Sequence, residues 1–444
     1  MIPSARVYQL LGLGTGMGLA IALVNSPSGL GIAFWVTLLW DGMVLGLAAV
    51  DSWRAGEHVT VSRQPLHRLS IGRENPVKLT VQSGTRPATL QIRDYAPPKM
   101  TVSPETLQAT LPAATQTEIA YTVLPRQRGE YNWGGIQIRQ LGRWGLAWHD
   151  WMIPQAETVE VYPDLVGLRS LSLRLTLQTT GNIRQAKRLG MGTEFAELRE
   201  YSLGDDPRLI DWKATARHVN PAFPQNRPLL RVLEPEQEQT LIILLDGGRL
   251  MTAQVKGLAR FDWGLNAALS LAVTGLHRGD RVGIGVFDRA LHTWIPPERG
   301  QSQLAKLIDR LTPIQPTLQE PDYLGAVTTI TQQQSRRALV VLITDVVDKT
   351  ASAELLSAMV RLSPRYLPFC VTLRDPQVNV QAETPTQDLP NAYARAVAID
   401  LLNQRQVALA TLKQKGVLIL DAPANQMTEE LVDRYLQLKA RGQL

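Results

Sequence analysis

The side chains best suited to chemistry in this 444-residue chain are carboxylates. Asp205 and Asp211 lie in the segment GTEFAELREYSLGDDPRLIDWKATAR, Gly192 to Arg217, where either could act as a general acid or base. Asp246 closes the apolar run LIILL and Asp345 closes VVLIT, and the ends of such strands are where open sheets gather ligands. Asp41 stands alone in an uncharged run, where a carboxylate in lipid is costly; it is either functional or held by a hydrogen bond within or between helical hairpins. No histidine–serine pair, zinc signature or GxxxxGK[ST] phosphate loop accompanies these groups, so catalysis and ATP hydrolysis by this chain lack their usual companions. His218 reads as a helix-end residue.

Composition narrows the classes further. The formal charge is +6, but acidic and basic residues are interspersed rather than gathered in a stripe, so the excess reads as membrane orientation and solubility and no nucleic acid is expected as partner. The single cysteine, Cys370, excludes an intrachain disulfide and a thiolate metal cluster, which fits a reducing compartment.

The elements that must position these residues fall into four stretches. Residues 1–50 read as a transmembrane helical hairpin. Val7 to Val24 is uncharged and Leu30 to Val50 carries only Asp41, so each can cross a hydrocarbon core of roughly 30 Å. Arg6 before the first span, and Arg54, Arg63, Arg68 and Arg73 after the second, place both ends in the cytoplasm, giving a multi-pass inner-membrane protein with cytoplasmic soluble domains. The alternative for the first span is a signal peptide, although no clean A-x-A site follows it, and the second span would still deliver residues 51 onward to the cytoplasm. Gly12, Gly14, Gly16 and Gly18 imply close helix packing, since no strand precedes them as a phosphate loop would need.

Residues 51–165 alternate polar and apolar side chains in short runs such as VKLTVQS and ATLQIRDY, broken by Pro and Gly, which predicts a β-sandwich with an immunoglobulin-like one as the simplest choice. Trp133, Trp144, Trp148 and Trp151 either close its small core, lie at the membrane interface, or form a binding face. Residues 239–444 alternate continuous apolar strands with amphipathic helices, which specifies a largely parallel, Rossmann-like α/β sheet covered on both faces.

Between them, residues 166–238 connect the domains. From Arg184 to Arg217 this stretch carries seven basic and six acidic side chains. Asp206-Pro207 predicts a helix start, after which Arg208 can face Asp211 while Lys213 and Arg217 form a basic edge and Trp212 projects elsewhere. Upstream, Phe195 and Leu198 at helical spacing supply an apolar stripe, with Glu194, Glu197 and Glu200 available to pair with arginines. Exposed pairs contribute only about 0–1 kcal/mol each, so such a belt serves better to set register than to stabilise. It either locks the two flanking domains together, offers a protein-partner surface, or supports catalysis through Asp205 or Asp211.

Glu194, Phe195, Leu198, Arg199, Tyr201, Gly204, Asp205, Arg208, Ile210, Asp211, Trp212, Lys213, Ala216 and Arg217 resemble, at their spacing, the signature of the bacterial domain of unknown function 58 family. Arg128-Gly129-Glu130-Tyr131, Gly145-Leu146 and Val161-Tyr162-Pro163 also match its pattern. The resemblance implies that residues 239–444 are a von Willebrand factor A-like domain with a metal-ion-dependent adhesion site at Asp246 and Asp345. Such a site takes an Asp-x-Ser-x-Ser element, a threonine and a further aspartate. Here the element reads Asp246-Gly247-Gly248-Arg249-Leu250, and the second loop reads Glu320-Pro321-Asp322 with Thr317 nearby. With hydroxyls missing, waters must complete any Mg²⁺ shell held by Asp246, Asp322 and Asp345, and strand-end capping is the plainer role.

The family also implies a MoxR-type AAA+ ATPase as partner. The expected function is therefore a non-enzymatic, membrane-anchored scaffold for protein–protein interaction. Cation-dependent ligand binding through the degenerate site is one alternative, and an enzyme acting on cell-envelope precursors is another.

Overall fold

The computed structural model describes residues 1–24, 29–55, 59–66, 68–182, 194–202, 205–218, 227–234, 239–346, 352–385 and 388–441. They form two units, Met1–Asp164 and Leu165–Leu444.

In the first unit, β1 (Ile2–Pro3) leads into helices α1 (Ala5–Val24) and α2 (Gly29–Ala55). There follow strands β2 (Val59–Arg63), β3 (Leu69–Ser70), β4 (Asn75–Ser83), β5 (Ala88–Asp94), β6 (Met100–Ser103) and β7 (Leu107–Leu111). The unit ends with β8 (Gln116–Pro125), β9 (Gly129–Trp133), β10 (Ile136–Leu141), β11 (Ala147–Ile153) and β12 (Glu157–Tyr162).

Both helices are long and apolar enough to cross a membrane, and their outer faces expose Leu13, Leu19, Phe34, Trp35 and Leu39. Their contact depends on two of the four glycines. A Cβ on Gly14 would lie 2.3 Å from the Trp40 ring, and one on Gly18 would lie 2.1 Å from the Thr37 hydroxyl, whereas Gly12 and Gly16 meet nothing within 4 Å. The four-residue spacing of Gly14 and Gly18 thus lets the helices touch, and the Trp40 indole donates to the Leu10 carbonyl at 2.9 Å. Asp41 lies on this hairpin with one carboxylate oxygen buried and without a partner among the described residues.

The hairpin joins the β structure through Asp51, whose carboxylate accepts from the backbone N–H groups of Trp144 and Leu146, both at 3.0 Å. Gly142 leaves room for that carboxylate, since a Cβ there would approach it to 2.2 Å.

The alternating runs form antiparallel sheets in the orders β1-β11-β10-β5-β7 and β2-β4-β8-β6, with a smaller sheet β3-β12-β9 whose first pair is parallel. Period-two alternation buries Val77, Leu79 and Val81 from β4, Leu90 and Ile92 from β5, and Ile136 and Ile138 from β10. Among them lies a charged pair. Arg63 donates to Asp94 through Nε at 2.9 Å and Nη2 at 2.5 Å, and its remaining N–H groups reach the carbonyls of Gln155 and Gly134. Tyr121 and Trp133 also donate to Asp94, at 2.7 and 3.2 Å. Trp133 is therefore a core residue, Trp144 is exposed, and Trp148 and Trp151 are half-buried.

The second unit begins with α3 (Leu165–Asn182), β13 (Glu194–Glu200), a 3₁₀ turn at Pro207–Leu209, α4 (Trp212–His218) and β14 (Leu229–Glu234). Next come β15 (Thr240–Asp246), the short pair β16 (Gln254–Val255) and β17 (Leu258–Ala259), α5 (Arg260–His277), β18 (Arg281–Phe287), β19 (Leu291–Glu298), α6 (Gln301–Leu311) and α7 (Tyr323–Gln333). The chain continues through β20 (Leu339–Thr344), α8 (Ala353–Leu362), β21 (Leu367–Arg374), α9 (Pro376–Glu383), α10 (Leu389–Gln414), β22 (Leu418–Pro423) and α11 (Met427–Ala440).

The main sheet runs β19-β18-β15-β20-β21-β22, parallel except for β19. Every residue of β15 is buried, as expected of a central strand covered on both faces. One face packs on α5, α6 and α11, joined by Leu168 and Leu175 of α3. The other packs on α7, α8 and α10.

One expectation is corrected here. Residues 194–200 are not a helical stripe but strand β13, antiparallel to β14 with a bulge between Phe195 and Glu197; the partner run LLRVLE lies far along the chain, so local spacing misleads. After β21 the chain is helical over Pro376–Glu383, with Asp375 capping α9.

The Arg63–Asp94 pair generates a stability prediction. Breaking it from one side strands a buried carboxylate, so Arg63→Met should cost about 3–5 kcal/mol in chemical denaturation of the whole chain in detergent. Arg63→Lys should recover less than half, because an ammonium cannot supply the same directed donors. A loss under about 1 kcal/mol for Arg63→Met would show that the pair is not a keystone of these sheets.

Candidate functional site

Asp246 ends β15, Asp345 follows β20, Asp375 follows β21, and Asp421 lies in β22. Adjacent parallel strands thus carry aspartates to one edge of the sheet, where β-α sheets bind ligands. The distribution of donors around them decides what this edge can do.

Asp345 faces two guanidinium groups. Arg260, at the start of α5, donates through Nη1 to one oxygen. Arg405, from α10, donates through Nη1 to the other at 2.6 Å, and that oxygen also accepts the Val346 N–H at 2.9 Å. Arg405 reaches further, to the carbonyls of Val346 at 2.5 Å and Leu373 at 3.1 Å and to Asp421 at 2.8 Å. Asp375 stands 3.8 Å from Arg260. Burial works against the charge of Arg405, but Asp345 and Asp421 outweigh it and hold its pKa above the ordinary value.

Asp246 is fully buried and is satisfied without a formal cation. One oxygen accepts from Thr344 at 2.6 Å and Tyr323 at 2.9 Å, the other from the Gly248 N–H at 2.7 Å. Burial pushes the Asp246 carboxyl above its ordinary range; these donors oppose the rise without cancelling it, and the negative charge of Asp345 adds to it.

Magnesium prefers near-octahedral oxygen coordination, and this set does not fit it. Both carboxylates are taken by protein donors. Gly248 occupies the first serine position of the adhesion-site pattern, and a Cβ there would lie 2.9 Å from the Gln319 carbonyl, 2.9 Å from Pro321 and 3.0 Å from the Asp246 carboxylate. Leu250 occupies the second. Thr317 donates its hydroxyl to Asp288 at 2.7 Å, a carboxylate that His292 also approaches at 2.6 Å. Burial raises the pKa of Asp288, but these contacts hold it below the ordinary value. Asp322 caps α7 by accepting the Gly325 N–H at 2.7 Å. The residues at Asp246, Asp322 and Asp345 thus do not fit the cation that the adhesion-site resemblance implies: arginines from α5 and α10 engage Asp345, and neutral donors engage Asp246 and Asp322. Cys370, buried in β21 with its thiol pushed up to about 12 by desolvation, offers no thiolate ligand.

The signature segment is also organised by its acids. Asp205 accepts from Arg199 at 2.8 and 2.5 Å and from the Ser202 N–H at 2.8 Å. Asp206 caps the 3₁₀ turn through the Arg208 N–H. Asp211 accepts the Ala214 N–H at 3.0 Å at the head of α4, and pairs with Arg231 of β14 at 2.6 Å rather than with Arg208. Arg199 and the Ser202 N–H hold Asp205 below the ordinary carboxylate range, and the Ala214 N–H with Arg231 does the same for Asp211. Tyr201 is half-buried, its N–H bonded to the Pro228 carbonyl.

The basic members stand apart. Arg208, Lys213 and Arg217 are exposed and make no ion pair among the described residues, and Trp212 is 67% exposed. Gly204 and the side chains of Glu194, Phe195, Glu197 and His218 lie outside the described residues.

Residues 197–388 match the family model described as Protein of unknown function DUF58, which bears out the resemblance carried by the signature. Curated relatives include the uncharacterized proteins Rv1480 of Mycobacterium tuberculosis and Mb1516 of Mycobacterium bovis. Each is 25% identical over 184 residues, covering 40% of this chain and 56% of the relative. The chain thus spans about half the length of the curated relatives it matches. Similar solved structures include BatB from Bacteroides thetaiotaomicron, at 13% identity and TM-score 0.31 over 46% of this chain and 99% of that one. The VWA domain of SpRpn10 is similar at 9% identity and TM-score 0.30, over 44% and 94%. An aerotolerance-related membrane protein from Bacteroides fragilis is similar at 15% identity and TM-score 0.30, over 45% and 99%.

The raised pKa of Asp246 has a testable sign. A carboxyl whose folded value exceeds its unfolded value favours folding at low pH, and that contribution disappears as pH rises through the folded value. Asp246→Asn should therefore gain stability relative to the parent chain as pH increases above the ordinary carboxylate value of about 4, in denaturant titrations at several pH values. A metal-binding carboxylate would give the opposite trend, with the substitution most damaging at high pH.

Proposed function

We propose that this chain is a membrane-anchored scaffold that holds other proteins on the cytoplasmic side of the inner membrane. In this reading α1 and α2 both cross the bilayer, with Arg6 and Arg54 on the cytoplasmic side. The antiparallel sheets that follow are an immunoglobulin-like sandwich, a rigid spacer in keeping with the buried Arg63–Asp94 network at their core.

The observation that carries the proposal is the separation of charges in the signature. Its aspartates are used internally to shape a hairpin and two helix starts, while Arg208, Lys213, Arg217 and Trp212 face solvent. Aromatic and arginine side chains dominate the energetic centres of protein interfaces, and exposed cations suit an acidic partner surface. A further apolar row supports the same reading: Leu389, Tyr393 and Val397, every fourth residue along α10, are 73%, 69% and 59% exposed. The family resemblance makes a MoxR-type AAA+ ATPase the proposed partner, and ATP hydrolysis then belongs to that partner.

The alternatives draw less support. Cation-dependent ligand binding needs Asp345, which Arg260 and Arg405 already engage, and Asp246, whose oxygens accept from Thr344, Tyr323 and the Gly248 N–H. An enzyme using Asp205 or Asp211 as its acid or base needs a pKa nearer neutrality, whereas both are depressed.

Photo-crosslinking in cells from position 212, followed by mass spectrometry, should recover a reproducible protein partner. The double variant Arg208→Glu/Lys213→Glu should lower capture by about tenfold, a loss of roughly 1.4 kcal/mol in binding, with an unchanged unfolding transition. Undiminished capture by a folded double variant would remove the signature from the partner surface.

A further inference from the structure

A cavity of about 500 Å³ opens in the first unit where the helical hairpin meets the β structure. Arg6, Arg54, Arg86 and Arg143 line it, while the adjacent carboxylate, Asp51, is buried behind Gly142 with its oxygens taken by the Trp144 and Leu146 N–H groups. The arginines arrive from separate places: the first turn of α1, the last turn of α2, the β4–β5 turn and the β10–β11 turn. All are exposed, and none makes an ion pair among the described residues. Such convergence of like charge makes the pocket attractive to an anion.

The local backbone is fitted to one of these cations. Arg6 donates to the Trp144 carbonyl at 3.3 Å, and Gly145 beneath it has φ +70, where a Cβ would lie 2.7 Å from the Arg6 Nη1. The wall is not purely polar, because Val59, Ala88 and Leu141 contribute apolar surface. Gln140 also lines the pocket and is 9% exposed, with its Oε1 unpartnered among the described residues. A ligand that fits combines phosphate oxygens for the guanidinium forks with a glycerol-like portion that covers the apolar wall and donates a hydroxyl.

Depth identifies the source of that phosphate. Arg6 and Arg54 stand at the same ends of two helices long enough to cross a bilayer, and Trp53 and Trp144, beside the pocket, are 77% and 45% exposed. Exposed tryptophans next to arginines at helix ends mark the headgroup level of a membrane. We propose that this pocket binds the phosphate-bearing headgroup of an anionic phospholipid from the cytoplasmic leaflet. The inference rests on α1 and α2 spanning the membrane, and it goes beyond general attraction of basic residues to lipid by assigning a discrete site.

The test is native mass spectrometry of the whole chain released from nanodiscs of phosphatidylcholine containing phosphatidylglycerol or cardiolipin. Anionic lipid should be retained in preference to phosphatidylcholine. Arg86→Gln/Arg143→Gln, altered only in exposed turns of the β structure, should reduce retention by about fivefold for each arginine removed. Lys99→Gln, outside the pocket, should not. Equal retention by the double variant, or equal loss with Lys99→Gln, overturns the site. Inorganic phosphate or glycerol phosphate that stabilises the detergent-solubilised chain and displaces no lipid also overturns it, in favour of a free anion. Incorporation into neutral phosphatidylcholine nanodiscs reports separately on the spanning helices; a chain that fails to incorporate defeats both readings.

Discussion

The Asp345 carboxylate, held between the guanidinium groups of Arg260 and Arg405, is the interaction on which the α/β domain turns. Parallel strands bring Asp246, Asp345, Asp375 and Asp421 to one edge, and several carboxylates crowded there cannot all remain ionised without positive charge nearby. A protein can meet that need with a bound cation or with its own side chains. Here Arg405 bonds to Asp345, Asp421 and two carbonyls, fastening α10 across the ends of three strands. Asp246, the carboxylate without an arginine, is the one driven toward its neutral form.

This arrangement changes what the edge offers to a ligand. A metal-dependent adhesion site works because its coordination shell has an open position for a partner's oxygen. The guanidinium groups of Arg260 and Arg405 instead have their own carboxylates and carbonyls to satisfy, and the Gly248 backbone lies too close to its neighbours for a serine. The region therefore acts as a clamp within the domain, and the signature's cations and the apolar row of α10 are left exposed. The signature shows the same economy of charge on a smaller scale, with acids turned inward to shape the backbone and bases left outward.

Much of the architecture could be read from local pattern. Period-two runs such as VKLTVQS became strands of the antiparallel sheets, and continuous runs such as TLIILLD and ALVVLITD became central parallel strands, because burial on one face or two leaves different periodicities. Asp246 and Asp345 were visible for the same reason, since each terminates such a run. Their partners were not. Arg405 is one of several polar residues on a 26-residue helix, and nothing local distinguishes a buried arginine from a solvated one. Asp421 did carry a signal, because VLILD repeats the grammar of LIILLD, and comparing strand ends would have found it. The signature hairpin was hidden because β13 pairs with β14 across the turn and helix between them, so that Asp211 meets Arg231 rather than the nearer Arg208.

The central claim is that protein donors already satisfy this edge, with Arg260 and Arg405 on Asp345 and neutral donors on Asp246, so that it does not fit a metal. Titration of magnesium into the whole detergent-solubilised chain, with heat and unfolding temperature followed together, addresses it most directly. The account predicts no saturable heat and no rise in unfolding temperature at millimolar metal. Saturable binding that raises the unfolding temperature and is lost in Asp246→Ala would contradict it.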